Sequence, residues 1–105
     1  MKIYICRKSI ADLKNPIIKQ DYETACARVG DFIQEMVEKN YRQKPVKDTL
    51  SDCQALALSE FTDGSYYIVN QTQNKKYQSV DEAMQLSEND EIVLIKLKYV
   101  RGMIW

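Results

Sequence analysis

The chain has 105 residues, of which 45% are hydrophobic and 29% charged, with two prolines and three glycines. This is the make-up of a single globular domain over residues 1–105, long enough to bury its own core, and it excludes disordered and fibrous classes. Fifteen Lys and Arg balance fifteen Asp and Glu, so the excess positive charge with which nucleic-acid binders hold phosphates is missing, and a pI near 6.3 leaves little repulsion against self-association.

The chain opens with Lys2-Ile-Tyr-Ile-Cys6, β-branched and aromatic without helical spacing, which predicts a strand within residues 1–10. Its apolar character stops at Arg7-Lys8, too soon for a secretion signal, and no run of about 18 apolar residues follows; both point to a cytoplasmic protein without a membrane partner. Residues 11–16 read as a turn, because Asn15 precedes a proline. Residues 17–23 then form a second strand closing an N-terminal hairpin, or lead directly into the helix that follows.

That helix carries the clearest signal. Val29, Phe32, Ile33, Met36, Val37 and Tyr41 fall on one apolar stripe, with Asp31, Gln34, Glu35, Glu38 and Lys39 opposite and Lys44-Pro45 as the stop. Residues 48–52 offer several N-caps for a short second helix, in which Cys53, Leu56, Ala57 and Phe61 face inward. Thr62-Asp-Gly64 is a turn in which Gly64 supplies a positive φ. Residues 65–70 read as a strand, residues 71–74 as a polar reversal and residues 75–79 as a short partner strand. Ser79 and Glu82 fit a capping box that opens one or two helical turns through Ala83, Met84 and Leu86. After a turn at residues 87–90 comes the most apolar stretch. Residues 92–95 are four aliphatics in a row, the pattern of a central strand buried on both faces. Beyond them Ile95, Leu97 and Tyr99 alternate with Lys96 and Lys98, so one face emerges into solvent.

The chemistry of catalysis is thin. With no histidine in the chain, the commonest general base, the commonest metal ligand and every Ser-His or Cys-His nucleophile pair are excluded. No glycine-rich phosphate loop exists, and the carboxylates of Asp81-Glu82 and Glu88-Asn-Asp-Glu91 read as a helix start and a solvated turn. Three cysteines, at 6, 26 and 53, are an odd count without paired spacing and read as small buried hydrophobes; only Arg28 or Lys47 lies near one in sequence to activate it. No enzyme activity, cofactor or metal is therefore expected. Tyr4, Tyr66 and Tyr99 lie on predicted strands, and with Lys96, Lys98 and Arg101 they would form a base-stacking sheet face if they converged. That single-stranded nucleic-acid reading is the alternative function, and the neutral charge argues against it.

The last residues, Arg101-Gly-Met-Ile-Trp105, place costly apolar surface at the end of the sequence. Two readings are open: the tail packs against its own domain, or it meets a protein partner or a second copy in a homodimer. On the second reading Lys98, Arg101, Met103, Ile104 and Trp105 are the contact residues, Arg and Trp being favoured at hot spots.

The order of elements resembles that of ubiquitin-like β-grasp proteins. The resemblance implies an α+β fold with first and last strands parallel at the centre of a mixed sheet, covered by one long helix plus a short second helix. Such a sheet leaves one face open, so the second side of residues 92–95 would need helix 2 or a partner chain. Carrier chemistry in that group requires a terminal Gly-Gly; this chain has Ile104-Trp105, and the role is not carried over. Separately, Phe61-Thr-Asp-Gly-Ser-Tyr-Tyr-Ile-Val and the Gly-x-x-Trp terminus resemble a group of small uncharacterised bacterial proteins, over about 45 residues and with no activity attached. The function expected is a non-enzymatic interaction module or adaptor acting through its C-terminal strand and tail.

Overall fold

The computed structural model describes residues 1–9 and 18–105, and among these, seven elements follow one another. They are β1 (Lys2–Ser9), β2 (Gln20–Glu23), α1 (Val29–Gln43), α2 (Leu50–Thr62), β3 (Tyr66–Asn70), β4 (Lys75–Lys76) and β5 (Glu91–Lys96). The expected turn at residues 11–16 and the start of the second expected strand fall outside the described residues. What is described of that strand, β2, pairs antiparallel with β1 as a hairpin requires.

The strands form one mixed sheet in the order β2-β1-β5-β3-β4. β1 and β5 pair in parallel at its centre, while β3 pairs antiparallel with both β5 and β4. The chain is thus α+β with its first and last strands side by side. The run at residues 92–95 takes the central place that its composition predicts. Ile92 and Leu94 are fully buried and Val93 nearly so, whereas Ile95 is half-buried. β5 ends at Lys96, one residue before the expected alternation with Leu97 and Tyr99 would matter; those two are 39% and 82% exposed.

Alternation along the strands sorts side chains into two faces. Ile3, Ile5 and Arg7 share a face with Ile92, Leu94 and Lys96 and with Tyr66 and Ile68, by the registers Ile5↔Ile92, Ile68↔Leu94 and Tyr66↔Lys96. Against this face pack Val29, Phe32, Ile33, Met36 and Val37 of α1, the stripe read from the sequence, and Cys53, Ala57 and Phe61 of α2. The Tyr66 hydroxyl donates to the carbonyl of Ala57 at 2.7 Å. Both helices therefore lie on the same side, and α2 does not cover the second face. Nor is α2 short: it spans 13 residues against the 15 of α1, with Thr49 as its N-cap accepting from the Asp52 N–H. The turn after it holds Gly64 at φ +82°, as an Asp-Gly turn requires.

One expected element does not form. The Ser79 and Glu82 side chains do satisfy backbone donors, at Asp81 and Gln78, yet the segment is a turn followed by extended chain and not a helix. The reason lies in α1, whose N-cap, Arg28, gives no side-chain cap. Its first N–H groups, at Val29 and Gly30, donate instead to the carbonyls of Glu82 and Val80 at 3.0 and 2.8 Å. The Met84 N–H, which a local helix would turn to Val80, donates to the Ala27 carbonyl at 2.8 Å, so the segment pairs with the start of α1 and not with itself.

Candidate interaction surface

The tail is fixed by contacts to five elements. After β5 the chain turns back, and Gly102 meets α2 so closely that a Cβ there would stand 2.5 Å from the Ala57 nitrogen. The buried Glu60 carboxylate accepts from the Arg101 N–H at 2.9 Å and from the Gly102 N–H at 2.8 Å. Asn40 of α1 donates to the Met103 carbonyl at 2.7 Å, and Arg7 of β1 donates to the Ile104 carbonyl at 3.3 Å. Ile104 is fully buried in the main core, and the Trp105 ring meets Tyr66 edge-on at 5.8 Å with the Lys96 ammonium above it at 5.4 Å. Burial pushes the Arg7 guanidinium pKa down; the tail covers the end of the sheet where this cation and Lys96 face inward.

The five expected contact residues are thus divided. Ile104 is withdrawn from the surface, Met103 and Trp105 are half-buried against the core, and Lys98 and Arg101 are exposed. Arg7, Asn40, Glu60 and Tyr66, which hold the tail, carry no signal in the sequence: they lie 39 to 97 positions away from the residues that they touch.

The opposite sheet face carries Tyr4 and Cys6 of β1, Val93 and Ile95 of β5, and Tyr67 and Val69 of β3, through the registers Cys6↔Val93, Val69↔Val93 and Tyr67↔Ile95. Cys6 and Val93 are the deepest, at 2% and 3% exposure, and the other four are half-buried. Among the described residues no helix lies over them. Charges rim this apolar centre: Lys2 stands over the Tyr4 ring at 4.6 Å and faces Asp21 at 3.9 Å, Lys76 stands over Tyr67 at 4.4 Å, and Lys19 pairs with Glu91. The sheet edges are blunted, β2 by Asp21 and Glu23 and β4 by its two lysines, which disfavours edge-to-edge pairing. This leaves the face as an apolar route to association.

Among the described residues the remaining candidates do not converge on one site. Tyr66 points into the core, Tyr99 stands off the sheet and only Tyr4 lies on the helix-free face, so the three tyrosines do not converge; Lys96 also turns to the helix side. The free thiols of Cys6, Cys26 and Cys53 all have raised pKa values, burial being the leading cause in each. Cys26 does have an acid partner that sequence proximity could not reveal: its thiol donates to Glu35 Oε2 at 3.1 Å, and Tyr22 donates to Glu35 Oε1 at 2.8 Å. A carboxylate in that place holds the proton on sulfur and does not activate it. Asp90, expected in a solvated turn, is 2% exposed and bonded to three donors. No set of three or more His, Cys, Asp or Glu side chains among the described residues is placed to hold a metal ion, and no described helix is long and apolar enough to cross a membrane. Comparison of the chain with protein-family models, curated proteins and solved structures gives no match.

Proposed function

We propose that this chain is a non-enzymatic protein-interaction module of β-grasp type, acting in the cytoplasm, whose working surface is the helix-free sheet face centred on β5. The observation that carries this reading is the sidedness of the sheet. Both helices and the tail are spent on one face, while the other presents half-buried Tyr4, Tyr67, Val69 and Ile95 inside a ring of Lys2, Lys19, Lys76, Asp21 and Glu91. Apolar centre and charged rim are the anatomy of a recognition surface. The strand order and the parallel central pair support the β-grasp reading. The tail serves this module by closing its core, and the C-terminal strand supplies its contact.

The test compares wild type with Ile95→Asp and Tyr67→Ser, with Tyr99→Ser as an exposed control off the face. Sedimentation at several concentrations reads self-association, and quantitative capture from native lysate reads binding to other proteins. Association that weakens at least tenfold in both face variants and survives in Tyr99→Ser is expected, with amide spectra confirming folded proteins. Association unchanged in the face variants, or absent from wild type in both assays, overturns the reading.

A further inference from the structure

Beside the start of α1, residues 24–28 and 82–86 run antiparallel and begin a β-ladder that stops almost at once. Arg28 and Ala83 form an isolated bridge. It is flanked by the Val29 N–H donating to Glu82 at 3.0 Å and the Met84 N–H donating to Ala27 at 2.8 Å. Continued in register, the next hydrogen-bonded pair would be Ala25 and Leu86. No backbone hydrogen bond joins residues 24–26 to residues 85–87. The two stretches part around an open cleft of about 410 Å³, with Thr24, Ala25, Cys26 and Ala27 on one bank, Met84, Gln85 and Leu86 on the other, and Met1 beside them.

We infer that this cleft is a docking site for an extended, apolar peptide segment of a protein partner, which enters as a strand between the two banks. Size agrees. A strand residue occupies about 3.3 Å along the chain, about 4.8 Å across the sheet and about 10 Å through it, or roughly 160 Å³, so the cleft takes two to three residues. Chemistry agrees as well. Added strands are held by main-chain hydrogen bonds and selected by side-chain pockets. The lining here is mostly apolar, with Thr24 and Gln85 as its polar members, and methionines at 1 and 84 adapt to varied apolar shapes. The Cys26 thiol hydrogen is turned to Glu35 and the Cys26 N–H to Thr24 Oγ1, which leaves sulfur as part of the wall. The inference stands apart from the β5 face and does not depend on it.

The probe is the peptide acetyl-Thr-Val-Leu-Val-Thr-amide, with a second peptide in which proline replaces the central leucine and removes its N–H. Each is titrated into the full chain, following the amide signals of Ala25, Cys26, Gln85 and Leu86. The alkylation rate of Cys26 is read in parallel; Cys6 and Cys53 are only 2% and 3% exposed, so Cys26 is the thiol a reagent reaches first. The expected result is shifts on both banks and alkylation slowed at least tenfold by the first peptide. Both effects should be lost with the proline peptide and in a folded Ala25→Asp variant, and kept in Ile95→Asp. No shift at millimolar peptide overturns the inference. Equal binding of the proline peptide makes the cleft a general apolar site and overturns strand addition; shifts confined to the β5 face overturn the location.

Discussion

Asp90 shows how far a single residue can depart from the look of its neighbourhood. Glu88-Asn-Asp-Glu91 reads as a solvated turn, yet Asp90 Oδ2 accepts from Asn70 at 2.9 Å, Gln73 at 2.7 Å and the Ser87 N–H at 2.9 Å. Burial by itself pushes this carboxyl pKa up, but the three hydrogen bonds outweigh it and hold the group below the usual carboxylate value. A pKa depressed on folding contributes stability that is complete above the unfolded value of about 3.9 and is lost as pH falls through the folded one. Urea unfolding between pH 7 and pH 2 should therefore show stability falling on the acid side, below about pH 4, with a shallower fall in Asp90→Asn. At pH 7, Asp90→Ala should lose about 1–3 kcal/mol, since it strands the buried Asn70 amide. Acid limbs of equal slope in wild type and Asp90→Asn would sink this assignment. Nothing in the sequence distinguishes Asp90 from Glu88; the difference is made by Asn70 and Gln73, which the β3–β4 turn brings to it.

At the scale of elements, legibility followed the range of the interactions. The α1 stripe is readable because its period is local, and each of its five leading apolar positions is buried. The box at residues 79–82 has the pattern of a helix start, and the competing demand, uncapped donors of α1, comes from about 50 positions upstream, outside any local pattern. The tail is the third case. Its composition implies a cover, but its receptors lie on β1, α1, α2, β3 and β5. Two substitutions probe that docking. Ile104→Ala should cost about 2–5 kcal/mol, as for a fully buried aliphatic. Gly102→Ala should cost about 1–3 kcal/mol by overpacking, because backbone of α2 is what the new methyl meets. Equilibrium denaturation measures both; values within about 0.5 kcal/mol of wild type, as expected of a surface site, would show a tail that does not belong to the core.

For the whole molecule, alternation along β1, β3 and β5 was enough to predict two faces but not to say which helices cover which. Sequence alone leaves room for α2 on the second face; packing of Ala57 and Phe61 into the same core as Phe32 puts it beside α1. That single placement moves the candidate working surface from the tail to the opposite side of β5, and the function proposed here depends on it. Trp105 is the sole tryptophan of the chain, and it sits in the tail against Tyr66, so its fluorescence reports directly on whether tail and core are one body. In dilute monomer, established by sedimentation, its emission should be blue-shifted relative to the urea-unfolded chain and shielded from acrylamide, with both properties independent of concentration. A water-like emission in the monomer that becomes shielded only on association would contradict the account and return the tail to the interface.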